Sequence, residues 1–180
     1  YSMPVQDYIG EARLNSAFQK FMENAAFREK PPFATSNEWY GYIKEVVPDS
    51  LKYLAEDGFE KITLYENRVK KAEFKETGKD RYQVKLTVET KKIYYDGLGK
   101  ETGQGKKADL IEIGIFGPDG KNKHGMTKKT PLYIKKHWLK PGEHILEFEV
   151  KGRPVKAGID PYNKLIDRVP DDNLIPVTAL

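Results

Sequence analysis

The chain has 180 residues, 31 Lys and Arg against 27 Asp and Glu, a formal net charge of +4, and no cysteine. Disulfides and thiolate metal sites are excluded, and so mild a basic excess with interspersed signs describes a solvated surface and not a nucleic-acid face. Eleven Tyr, eight Phe and two Trp can fill a core, while no run approaches the roughly 18 apolar residues of a membrane helix.

The chain opens on Tyr1 and shows no secretory leader pattern, as expected of a piece of a longer protein. Residues 7–28 carry Leu14, Phe18, Phe21, Met22 and Ala25 at three- and four-residue spacing, which predicts one amphipathic helix ended by Pro31 and Pro32. Thr35 and Glu38 form a capping box for a second helix, with Trp39, Ile43, Val46 and Val47 on one face and a stop before Pro48. Asp49 or Ser50 caps a third through Leu51 and Leu54, and Gly58 suits a left-handed terminator with Phe59 folding back on Leu54.

From Lys61 the apolar period falls toward two. Ile62, Leu64, Val69, Ala72 and Phe74 lead into a turn at residues 77–80. Residues 81–96, RYQVKLTVETKKIYYD, put Tyr82, Val84, Leu86 and Val88 on one parity and Gln83, Lys85, Thr87 and Glu89 on the other. That is a strand with one buried face. Ile93 and Tyr95 break the parity, so a bulge is expected near Lys91 and Lys92. Residues 96–107 read as a polar loop, residues 110–116 as a strand with Ile111, Ile113 and Ile115 inward, and residues 121–129 as a polar connection. Leu132, Ile134 and Trp138 mark a further strand; Leu146, Phe148 and Val150 another; Val155, Ala157 and Ile159 the last. Turn residues separate these strands every 8–12 positions or so, the signature of a β-sandwich.

The expected architecture is α+β. A short helical segment, residues 1–60, packs on an antiparallel β-sandwich of the immunoglobulin or fibronectin kind with about seven strands, residues 61–180, ending in a tail.

Chemistry-bearing patterns are weak. His124, His137 and His144 have no histidine partner at helical spacing and read as surface residues. Serine is confined to positions 2, 16, 36 and 50, with no nucleophile motif, so a self-contained hydrolase is disfavoured. Residues 103–106, Gly-Gln-Gly-Lys, lack the flanking Gly and Ser or Thr of a phosphate loop. Asp160, Asp167, Asp171 and Asp172 do not match calcium-loop spacing and read as turn residues. The lysines at 121, 123, 128, 129, 135, 136 and 140 lack interleaved aromatics in the loop part, so no nucleic-acid partner is expected. Tyr162, Leu165 and Ile166 stand at three- and four-residue spacing in a polar run after Asp160 and Pro161. One helical turn would gather them, and they are the candidate interaction residues of a docking tail, set either on the helices carrying Phe18 and Trp39 or on a domain outside this chain.

Two stretches resemble a known family. One is Val47-Pro-Asp-Ser-Leu51 with Tyr53, then Phe59 and residues 62–67, ITLYEN. The other is residues 140–144, KPGEH, with residues 158–168, GIDPYNKLIDR, and Asp171-Asp-Asn173. Together they resemble the C-terminal end of bacterial aminopeptidase N-like zinc peptidases of the gluzincin class, in the subgroup fused behind an ABC-transporter-permease-like membrane half. The resemblance implies the end of the family's helical region followed by a closing β-sandwich. The family's His-Glu-x-x-His motif is absent here, so no catalytic, cofactor or metal residue carries over to this chain. What it implies is a non-catalytic accessory domain, with zinc in the parent's catalytic domain. The expected partner is that catalytic domain of the same polypeptide, on the extracytoplasmic or periplasmic side of a bacterial membrane, with no span in this chain. The rival is an independent β-sandwich module for glycan or peptide. Tyr94, Tyr95 and Tyr133 would be its exposed aromatics, although cross-strand packing explains them as well.

Overall fold

Gly10, at φ +88°, divides the first predicted helix into α1 (Ser2–Ile9) and α2 (Glu11–Ala25). A left-handed backbone is cheap only for glycine, and it interrupts the helical ladder there. The computed structural model describes residues 2–121 and 123–180, with side chains from Val5 onward. The chain divides into two compact units, residues 1–63 with 96–98, and residues 64–95 with 99–180.

In the first unit α2 stops at Ala25, short of the expected Arg28. The Arg28 Nε–H donates to the Asn24 carbonyl at 3.0 Å, satisfying an orphan C-terminal acceptor. Its guanidinium forks onto the Glu38 carboxylate at 2.9 and 2.7 Å. This bond above all holds the Glu38 carboxyl below the usual carboxylate range, with the Thr35 backbone the smallest contributor. The Thr35 hydroxyl accepts the Glu38 N–H at 3.2 Å and so caps α3 (Ser36–Val46). Trp39 of α3 meets Phe18 and Phe21 of α2 at ring distances of 5.8 and 5.5 Å, and Ile43 and Val47 are buried. A 3₁₀ turn, Asp49–Leu51, leads into α4 (Lys52–Phe59) without a side-chain cap. Gly58 is helical and not a terminator, and Phe59, the last residue of α4, stacks on Tyr40 at 5.1 Å.

The second unit holds β1 (Ile62–Gly78) from Leu64 onward, and β2 (Arg81–Tyr95), β3 (Glu101–Gln104), β4 (Asp109–Phe116), β5 (Gly120–Lys121), β6 (Thr127–Lys128), β7 (Pro131–Leu139), β8 (Gly142–Lys151), β9 (Lys156–Ile159), β10 (Leu174–Pro176) and β11 (Thr178–Ala179). One open sheet runs β11-β1-β2, and the far edge of β2 is shared between β8 and β3. A second open sheet runs β10-β9-β4-β7, and β5 with β6 forms a small separate hairpin. The registered pairings are antiparallel except β1 with β11, which is parallel.

Period-two alternation decides which faces are buried. Val84, Leu86 and Val88 of β2 share one core cluster with Ile111, Ile113 and Ile115 of β4. Cross-strand neighbours reinforce it, Val84 opposite Phe148 and Leu86 opposite Leu146. Several expected positions differ. On β1 the buried parity is Tyr65, Asn67 and Val69, so Ile62 and Leu64 lie outside the core cluster. On β7 Leu139 is inside and Trp138 is 51% exposed. The even-numbered buried parity of β2 continues through Thr90 and Lys92 and changes at Ile93, which is buried as well, and a register shift falls between Tyr94 and Tyr95. Part of the expected polar loop is β3, where Gly105 follows the strand. A Cβ at Gly105 would stand 2.5 Å from the Lys92 side chain, so that buried lysine needs a glycine beside it.

Candidate functional site

The segment between β9 and β10 folds back along β1. Its anchor is Asp160, a buried residue at φ +42° whose carboxylate accepts the backbone N–H groups of Lys164 at 3.0 Å and Leu165 at 2.8 Å. The Asp160 N–H donates to the Glu112 carbonyl at 2.7 Å, and Lys164 Nζ reaches the Glu112 carboxylate at 2.9 Å. Burial pushes the Asp160 carboxyl up to about 6, against the pull of its two backbone donors. Beyond it the Tyr65 N–H donates to the Ile166 carbonyl, and the Arg168 N–H to the Tyr65 carbonyl, at 2.8 and 3.0 Å. Asp167 Oδ2 accepts the Asn67 N–H at 2.8 Å and Oδ1 accepts the Val169 N–H at 2.9 Å. A carboxylate thus replaces a strand partner where β1 would otherwise present an unpaired edge.

This strap encloses a cleft of about 440 Å³. β1 supplies Glu66, Asn67 and Arg68; β2 supplies Glu89 and Lys91; the strap supplies Arg168, Val169 and Asp172. The charges pair across the cleft. Arg68 Nε donates to Glu89 at 2.6 Å, Arg168 donates to Glu66 at 2.7 Å, and Lys91 lies 3.7 Å from Glu66. The Arg68 bond is the main cause that holds the Glu89 carboxyl below its ordinary range. Asp172 differs: burial first, and Asp167 beside it second, raise its carboxyl. In the floor the Asn67 amide oxygen accepts the Thr90 hydroxyl at 2.6 Å. The Asn67 Nδ2 and Asp172 Oδ1 atoms are buried and meet no hydrogen-bond partner among the described residues.

The expected interaction residues separate. No helical turn forms, because Asp160 and Asn163 both take positive φ and turn the chain. Leu165 is in the core cluster, Tyr162 lies edge-on to Phe116 at 5.9 Å, and Ile166 is half exposed. The surface under Leu165 is the sheet core of its own unit. His137 is no ordinary surface residue: its Nε2 is 2.8 Å from the Tyr133 hydroxyl, its ring packs on Phe148, and burial lowers its pKa. His144 Nε2 lies 2.7 Å from the Lys140 carbonyl oxygen. Tyr133 packs on Phe148 at 4.5 Å, as cross-strand packing predicts. Sequence reasoning missed the cleft, although one signal was available: Asn67, Thr90 and Lys92 are polar residues on apolar parities.

Among the described residues no three His, Asp or Glu side chains stand together as a metal set. No helix of the described chain is long and apolar enough to cross a membrane. Neither a protein-family model nor a curated protein sequence matches the chain.

Proposed function

We propose that the chain is a non-catalytic accessory domain of an aminopeptidase N-like zinc metallopeptidase, with a structural and interaction role. In this reading the second unit is a β-sandwich of the immunoglobulin or fibronectin kind, its two open sheets closing on one apolar core. One observation carries it. The stretch on which the resemblance most depends, residues 158–173, is spent on holding the fold. Gly158 sits under the Asn173 carbonyl, Asp160 fixes the Lys164 and Leu165 amides, and Asp167 fixes Asn67 and Val169. Carboxylates saturated by backbone donors serve architecture. Zinc belongs to the parent's catalytic domain, and that domain is the partner, on the extracytoplasmic side of a membrane-anchored polypeptide.

The test is the residues encoded ahead of Tyr1, together with metal analysis and an aminoacyl-substrate assay on the purified chain. An upstream His-Glu-x-x-His helix, with no zinc and no turnover in the chain itself, supports the reading. One tightly held zinc in this chain, with turnover that a chelator abolishes, overturns it. The charged cleft favours a second reading, an independent binding module.

A further inference from the structure

We propose that the open edge of β8 takes up a basic, extended peptide segment as an added antiparallel strand. The inference rests on neither reading above, because a free sheet edge accepts a strand whatever the parent does.

β8 is an end strand of 10 residues, and its registered partner is β2. The register runs unbroken from Arg81 opposite Lys151 to Thr90 opposite Gly142. One bond fixes which backbone groups face outward. The Gly152 N–H donates to the Asp80 carbonyl at 3.0 Å, one step beyond that register. Bonded pairs in an antiparallel ladder alternate, so the even-numbered residues of β8 bond β2. The N–H and C=O groups of Glu143, Ile145, Glu147 and Glu149 therefore point away from β2. The Gly105 N–H bond to the Lys92 carbonyl, on the same side of β2, keeps the same parity. Among the described residues, no backbone hydrogen bond outside the β2 ladder reaches residues 143–149. The side chains of the same four residues are exposed, Ile145 by 59%. β7, joined to β8 by a short turn, pairs with β4 in the other sheet. A row of outward N–H and C=O groups is a template for another strand.

Charge selects the partner. An added strand sets its own side chains about 5 Å from Glu143, Ile145, Glu147 and Glu149. Three of these four carry carboxylates, and the groups that meet them lie inward. Lys70 of β1 bonds Glu143 at 2.7 Å, Arg81 of β2 lies 3.5 Å from Glu149, and the Gln83 amide of β2 reaches Glu147 at 3.3 Å. A carboxylate keeps acceptor sites after one contact, and exposed pairs of this kind hold each other weakly. The outermost row is thus acidic, with one apolar step at Ile145. Its complement on an antiparallel strand is Lys-x-Lys-x-Val-x-Lys, read from the residue opposite Glu149. A second copy of β8 fits badly. In a twofold pairing centred anywhere from Ile145 to Glu149, one of these glutamates falls opposite itself or another. Like charges directly opposite destabilise such a pair.

The experiment is a titration of the isotope-labelled chain with the acetylated, amidated peptide Lys-Thr-Lys-Thr-Val-Thr-Lys, read in amide shifts and hydrogen exchange. One contrast peptide carries Glu for every Lys. A second is N-methylated at its lysines and valine, which keeps the charge but removes the donors aimed at β8. In the free chain the amides of Ile145, Glu147 and Glu149 should exchange fast and those of Leu146 and Phe148 slowly. The basic peptide should shift and protect the odd-numbered amides saturably, and neither contrast should. Glu147→Lys should weaken binding by on the order of tenfold or more, because it sets like charges across the new pair. Ile145→Pro should abolish it, since the lost N–H belongs to the open side and the β2 ladder stays whole. Glu147→Lys, on the exposed face, keeps the test decisive should Ile145→Pro not fold. Equal binding of the N-methylated peptide means attraction by charge without strand addition, and overturns the inference. Binding of the acidic peptide, or silence toward the basic one, overturns it too. Protection of Glu147 and Glu149 that grows with protein concentration alone gives the edge to a second copy and overturns the peptide partner.

Discussion

Lys92 Nζ lies 2.6 Å from Asp109 Oδ1, and the two side chains are only 4% and 6% exposed. The pair joins the end of β2 to the start of β4, so each sheet puts one full charge into the interior. Removing one partner leaves the other charge buried, which costs about 3–5 kcal/mol, whereas replacing both by apolar groups of similar size is often neutral. Lys92→Met and Asp109→Leu should each lower the unfolding free energy by that amount in denaturant melts, and the double variant should recover most of the loss. Single variants within about 0.5 kcal/mol of the parent would mean that the pair holds nothing.

Asp160 predicts a pH dependence of defined sign. Its folded pKa of about 6 stands above its ordinary 3.8, chiefly through burial. A group with a raised folded pKa stabilises the fold fully below the unfolded value, and that stabilisation disappears as pH climbs through the folded value. The window is therefore pH 4 to 6. A shift of about two units corresponds to about 3 kcal/mol. Relative to Asp160→Asn, which cannot ionise, the natural chain should lose about that much stability between pH 4 and pH 7. Parallel stability curves for the two proteins across the window would refute the assignment.

Gly158 predicts a local failure. A Cβ built there would stand 2.0 Å from the Asn173 carbonyl oxygen and 2.9 Å from the Leu174 Cα. Both are backbone atoms of the neighbouring chain, so no side-chain rotation relieves the clash. Gly158→Ala should push β10 off β9, break the Ile159 N–H bond to the Asn173 carbonyl, now 2.9 Å, and cost several kcal/mol. Hydrogen exchange should show lost protection at Ile159 while amides of the β2–β8 ladder stay protected. Unchanged protection at Ile159 would show that the strand accommodates the methyl group.

The long strands were legible in the sequence because their buried faces repeat every second residue, as at Val84, Leu86 and Val88 or Ile111, Ile113 and Ile115. β10 and β11 were not. They span three and two residues, too short for a period, and they form because Gly158 and Phe74, distant in sequence, hold their partners. Gly10 was an interruption that a helical stripe alone does not reveal, since the apolar spacing runs on past it. The cleft was hidden for another reason. Its walls come from β1, β2 and the strap, and only folding brings Glu66 to Arg168. Its floor left a trace, because Asn67 and Thr90 occupy strand positions where the pattern calls for apolar groups.

Leu165 and Ile166 separate a structural role from a docking one. Leu165 is 7% exposed and belongs to the core cluster, whereas Ile166 is 46% exposed and Tyr162 45%. Adjacent residues in an extended strap face opposite ways, so a single segment can anchor itself with one side chain and present the next. Leu165→Ala should cost this chain about 2–5 kcal/mol, the price of a cavity in a packed core, while Ile166→Ala should cost under about 1 kcal/mol. The two outcomes are read in the same denaturant melts. The intact parent then supplies the second comparison. If the strap docks on the catalytic domain, Ile166→Asp and Tyr162→Asp should weaken that association or lower the parent's activity while leaving this chain's own stability within about 0.5 kcal/mol. If neither aspartate variant changes the parent, the exposed side of the strap meets no partner, and Leu165 alone explains why the segment lies where it does.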